Sequence, residues 1–166
     1  MTIPSKNATL ILFKIELIKG DNMDTSDYLD LFGQAKKQYT RCLESVSKHW
    51  SLTQNELDIL LFLFNNPRFD RAADIVAKRG ISKSHVSLAV NTLGQRQLLD
   101  RQPDPEDRRT VHLTLTAQGR MIAEEGKAAQ RRYFSALYRG ITPEELEQWK
   151  QIKEKICRNI EEFEHI

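Results

Sequence analysis

The stretch Asp104-Pro105-Glu106-Asp107-Arg108-Arg109 and the strand-like residues 110–115 that follow it decide the fold. Pro103 and Pro105 flank a loop no helix could traverse, because the proline ring clashes with the preceding turn and removes a backbone donor. Beyond the loop, Val111, Leu113 and Leu115 alternate with polar residues and fall on one face, as in a half-buried strand. Residues 98–102 read as a matching short strand. The two make a hairpin whose tip carries Arg108 and Arg109. Thr116 ends the second strand and caps a helix running towards Tyr138, which Gly140 closes.

Working back from the hairpin, Ser82 caps a helix with Val86, Ala89, Val90 and Leu93 on one side and Lys83, Ser84, Ser87 and Asn91 largely on the other. Before it, a short helix runs from an Asp70 cap through Lys78 and is ended by Arg79-Gly80, where glycine supplies a left-handed residue. Thr53 and Glu56 have the spacing of a capping box, and Leu57, Leu60, Leu61 and Phe64 follow as a buried face before Asn66-Pro67. From Thr25 the residues Tyr28, Leu31, Phe32, Ala35, Tyr39, Cys42, Val46 and Trp50 recur at three- and four-residue steps, which predicts a long amphipathic helix. At the other end, Thr142-Pro143-Glu144-Glu145 starts a sixth helix striped with Leu146, Trp149, Ile152, Ile156, Ile160 and Phe163.

The expected fold is therefore mainly α with a small β-hairpin wing: a winged helix-turn-helix between long N- and C-terminal helices. Its 166 residues suit one domain, with 40% hydrophobic and 29% charged residues. The net charge of +2 is uninformative, but its distribution is not. Residues 68–116 hold nine basic and six acidic residues, whereas the segments on either side are neutral or slightly acidic. This is the footprint of a nucleic-acid reading head. The fourth helix can enter a major groove, where Ser82, Lys83, Ser84, His85, Ser87 and Asn91 reach base edges or phosphates. Arg108 and Arg109 can reach an adjacent minor groove.

Residues 104–109, the short strand and Leu115-Thr116-Ala117-Gln118-Gly119 resemble the wing and following helix start of the MarR family of transcriptional regulators, and the helix order agrees over residues 26–163. The resemblance implies a MarR-type domain over residues 23–166. Residues 53–115 would be its DNA-binding part, and residues 25–50 and 117–164 its dimerization helices. It also implies a homodimer, a pseudo-palindromic double-stranded DNA operator, repression, and release by a small aromatic effector bound between the two regions. By the same resemblance Arg109 is the minor-groove arginine, and Asp107 braces the wing by pairing with a basic residue. Gln97 stands where the family commonly has glycine, so the end of the fourth helix is expected to be shifted or strained. Leu88 replaces a frequent polar or basic residue.

Other readings compete with this one. No GxSxG, Walker loop, HExxH or dinucleotide fingerprint is present, so no enzyme, cofactor or metal is expected. Cys42 and Cys157 lack metal spacing and suit a reduced cytoplasmic protein. A redox sensor using Cys42, or a winged helix that binds protein rather than DNA, are the alternatives; the wing arginines favour DNA. Tyr39, His49 and Trp50 are candidate walls for an effector pocket, although helical aromatics more often pack. Residues 8–18 are interrupted by Lys14 and Glu16 and too short to span a membrane. Phe13, Ile15 and Leu17 alternate as a short strand, and residues 1–22 read as an N-terminal extension of a different character.

Overall fold

The computed structural model describes residues 25–107 and 110–163. The N-terminal extension and both wing-tip arginines, Arg108 and Arg109, lie outside the described residues. The elements run α1 (Thr25–His49), α2 (Gln54–Asn65), α3 (Ala72–Arg79), α4 (Lys83–Gln95), β1 (Leu99–Pro103), β2 (Val111–Leu115), α5 (Ala117–Leu137) and α6 (Pro143–Phe163). The two strands form an antiparallel ribbon with Leu99 opposite Leu115 and Pro103 opposite Val111. Pro103 thus belongs to β1 rather than to the loop, at the strand's last position, where a missing N–H costs least.

The helix starts follow from local chemistry. Thr53 Oγ1 accepts the Glu56 N–H at 3.3 Å, and Glu56 returns a carboxylate oxygen to the Thr53 N–H at 2.7 Å. Thr142 and Glu145 repeat the exchange at α6. Thr116 Oγ1 accepts from Gly119 at α5, and Ser82 Oγ from His85 at α4. The start of α3 differs from expectation. Its cap position is Arg71, whose N–H donates to Asp74 at 3.1 Å, because the Asp70 carboxylate is engaged by His112. Gly80 ends α3 with φ 63°, as its lack of a β-carbon allows.

The core sits between α2 and its neighbours. Leu57, Ile59, Leu60, Leu61 and Phe62 are all buried, so α2 is covered on nearly every side. Leu43 and Val46 reach it from α1, Ile75 from α3, Val86 and Leu93 from α4, and Ile122, Ala123 and Ala129 from α5. Each fully buried leucine, isoleucine or valine of this set contributes about 1.5–3 kcal/mol. Leu98, Leu99 and Leu113 root the ribbon in the same core. A third backbone segment joins the ribbon edge, since the Leu113 N–H donates to the Asp70 carbonyl at 2.7 Å.

The terminal helices contrast with this centre. α6 leaves Trp149, Ile152, Ile156 and Ile160 exposed, and Leu29, Leu31 and Phe32 of α1 are exposed as well. The apolar stripes of α1 and α6 are therefore real, and among the described residues much of their area is exposed. No helix among the described residues is long and apolar enough to cross a membrane.

Candidate nucleic-acid interface

Ser82, Lys83, Ser84, His85, Ser87 and Asn91 are all exposed, while Val86, Ala89, Val90 and Leu93 anchor the opposite face of α4 in the core. Helical spacing sets Lys83, Ser87 and Asn91 in one row and Ser84 and Leu88 in the next. The Ser82 hydroxyl organises the first turn, lying 2.9 Å from His85 Nδ1 and 3.1 Å from Ser84 Oγ. This leaves Lys83 as the cation at a helix N-terminus whose unpaired N–H groups favour an anion. Leu88 is 66% exposed, an apolar side chain on a polar surface and suited to a thymine methyl group.

The ribbon stands beside this helix and is tied to it. Arg101 of β1 donates through Nη2 to the Asn91 side-chain oxygen, so Asn91 is oriented by the wing. Between α3, α4 and the ribbon lies a cavity of about 530 Å³. Ala73, Val76, Val86, Val90 and Leu113 give it apolar walls, and Lys83, Ser87, Asn91 and Arg101 stand around it. Neither Arg101 nor this cavity was legible in the sequence, because both depend on how β1 meets α4.

At the far end of the ribbon, Asp104 Oδ1 accepts the N–H groups of Glu106 and Asp107, both at 2.8 Å, which folds the turn tightly. Thr110 Oγ1 donates to Asp107 at 3.0 Å. His112 holds the turn from below, with Nε2 3.0 Å from Asp104 and Nδ1 2.9 Å from Asp70. The backbone bond from Asp107, then His112, then the Glu106 N–H hold the Asp104 carboxyl down at about 2.

The candidate effector residues divide into two places. His49 and Trp50 meet Glu125 of α5, with Trp50 Nε1 donating at 2.7 Å and His49 Nδ1 at 3.5 Å. Tyr39 lies ten residues earlier on α1, about 15 Å along the axis. There its hydroxyl accepts from Gln130 at 2.6 Å and its ring meets Tyr133 edge-on at 5.5 Å. Burial raises the Tyr39 phenol above its usual range despite that bond. Cys42 is half-buried and donates to the Ala129 carbonyl at 3.2 Å, a packing contact between α1 and α5.

A MarR family model matches residues 50–110, from the end of α1 to the wing turn. The repressor MdtR of Bacillus subtilis (strain 168), an HTH-type transcriptional repressor, is 26% identical over 141 residues, covering 85% of this chain and 90% of that protein. The chain is thus similar to MarR-family regulators across its helix-turn-helix and wing. Solved MarR-family structures share its fold. A transcriptional regulator from Silicibacter pomeroyi aligns with a TM-score of 0.70 at 21% identity, over 81% of this chain and 91% of that one. A regulator from Listeria monocytogenes, complexed with 26mer DNA, aligns with a TM-score of 0.73 at 16% identity, over 84% and 90%. Against the MarR pattern that the chain resembles, the departure at Gln97 has a visible consequence. Gln97 adopts φ 55°, the left-handed conformation for which glycine is suited, and Leu98 N–H still closes the α4 end onto the Leu93 carbonyl at 2.9 Å.

Proposed function

We propose that this protein is a cytoplasmic, homodimeric MarR-family repressor that reads a pseudo-palindromic double-stranded DNA operator. The observation that carries the reading is the exposed, Ser82-capped face of α4, with Lys83, Ser84, His85 and Ser87 displayed beside a ribbon whose turn leads into Arg108 and Arg109. The α4 residues take the major groove, and Arg108 and Arg109 take the flanking minor groove. Residues 53–115 form the reading head of each protomer. Residues 25–50 and 117–164 pair it with its copy, which gives the exposed Trp149, Ile152, Ile156 and Ile160 an apolar partner. A two-fold protein then requires a two-fold site.

A small aromatic effector releases the DNA by preferring a dimer whose reading heads are wrongly spaced. The cavity between α3, α4 and the ribbon supports such control, because an occupant there would bear directly on Lys83 and Arg101. The test is selection of duplex fragments from the source genome with the purified full-length protein, with sedimentation of the free protein beside it. Enrichment of an inverted repeat by a dimer is the expected result. A monomer that enriches no sequence would refute the reading.

A further inference from the structure

His112 on β2 is clamped between two carboxylates from different parts of the fold. Its Nδ1 lies 2.9 Å from both carboxylate oxygens of Asp70, in the segment between α2 and α3. Its Nε2 lies 3.0 Å from Oδ2 of Asp104, at the turn of the wing. An ionised carboxylate only accepts hydrogen bonds, so both ring nitrogens must donate. Neutral imidazole carries one N–H, and only imidazolium carries two. The two nitrogens face opposite ways and cannot converge on one bound cation. The ion pairs with Asp104 and Asp70 raise His112 above its ordinary value, the Asp104 bond contributing most.

Both ends of the clamp are mechanically committed. The Asp70 carbonyl pairs with β2 at Leu113, and the Asp104 carboxylate folds the turn through the Glu106 and Asp107 N–H groups. His112 therefore connects the helix-turn-helix body to the turn that leads into Arg108 and Arg109. We propose that charged His112 is a positioning residue for the wing, so that duplex affinity falls as pH rises through its titration. The inference rests on the DNA-binding reading above.

Among the described residues, the charged groups facing the ring are Asp70 from the body and Asp104 from the wing turn. Its cross-strand partner on β1, Gln102, is neutral. Nearby Arg71 is paired with Asp74, and Arg101 with Asn91. When His112 loses a proton, one nitrogen presents a lone pair to a carboxylate and that side of the clamp repels. Because its titration is raised, the clamp is complete below the ordinary histidine value of 6.5 and is lost as pH climbs through the raised value. On the acid side the Asp104 end of the clamp persists until that carboxyl protonates at about 2.

His85 is a second histidine, exposed on the candidate DNA face, so the experiment separates the two. Affinity of the full-length protein for its selected duplex is measured by anisotropy from about pH 6 to about pH 9, starting below the ordinary histidine value and extending well above it. Wild type and His85→Gln should weaken roughly three- to tenfold over that range, as expected for one coupled proton. His112→Gln should be flat, and Asp70→Asn should move the fall to lower pH. In the free protein, imidazole nitrogen NMR should show both His112 nitrogens protonated at about pH 6. A His112→Gln profile that falls like wild type, pH-independent wild-type binding, or a neutral His112 by NMR would each overturn the inference. A protein with a charged His112 that binds no duplex at any pH would instead refute the DNA-binding reading, and the wing's DNA role with it.

Discussion

Gly119 at the start of α5 lies against the Leu98 carbonyl so closely that no β-carbon fits between them. The contact joins the helix that leaves the wing to the root of the wing itself, where Thr116 N–H also donates to Leu98 at 3.3 Å. The obstacle is backbone, which cannot rotate away as a side chain would. Gly119→Ala should therefore cost about 2 kcal/mol or more, read as a lower urea midpoint. A neutral substitution would show that α5 can shift without loss.

The left-handed Gln97 points the other way. An L-residue in this conformation gives up about 1 kcal/mol that glycine keeps, and the exposed Gln97 contributes its carbonyl, not its side chain, to Thr116. Gln97→Gly should stabilise the fold by about 1 kcal/mol and raise the melting temperature by about 3 °C. Differential scanning calorimetry decides it, and a lower midpoint would contradict the account.

Asp104 makes stability depend on acid. Its carboxyl is lowered from 3.8 to about 2 in the folded protein, so its stabilisation is complete above the unfolded value and lost as pH falls through the folded one. Asp104→Asn keeps an acceptor for the turn but removes the charge facing His112. The variant should melt below wild type near neutral pH, and the gap should close as the pH is lowered from about 4 to about 2. A gap that stays constant would mean the charge adds nothing.

DNA binding should separate two kinds of contact. Arg109→Ala should weaken operator binding by about 1–3 kcal/mol and flatten the salt dependence, since a groove contact and a charge are both removed. Lys83→Ala should weaken all duplexes alike if it meets phosphate. Salt titrations on operator and scrambled duplexes test both, and unchanged slopes would remove these residues from the interface.

Ile156 lies at the middle of the exposed α6 stripe. Ile156→Asp places a carboxylate where the proposed copy would bury it, which costs far more than one isoleucine's burial unless a partner charge is found. The substitution should convert a dimer to a monomer by sedimentation while circular dichroism stays helical. A persistent dimer would relocate the interface.

Much of the fold was legible because its signals are local. The Thr53–Glu56 and Thr142–Glu145 boxes, the Ser82 and Thr116 caps and the left-handed Gly80 each act within a turn of their own position. The same locality limited the reading. Asp70 has the chemistry of a helix cap, and nothing in its neighbourhood says that His112, forty-two residues later, takes its carboxylate instead. Asn91 reads as a free polar residue until β1 brings Arg101 to it. The candidate face of α4 emerged from helical period, whereas the Asp70–His112–Asp104 chain required knowing which strand edge meets which loop.

One remaining contact bears on how force would travel. Arg96, at the end of α4, donates to the Trp50 carbonyl at 2.6 Å and the Ser51 carbonyl at 2.9 Å, while the Trp50 indole holds Glu125 of α5. Three helices are thereby bolted at a single corner beside the wing root. A twist imposed on α1 or α5 would reach α4 as a crank turns its shaft, with no slack loop to absorb it. Cutting that corner with Arg96→Met should loosen the end of α4 against the long helices without unfolding it, read as faster amide exchange there.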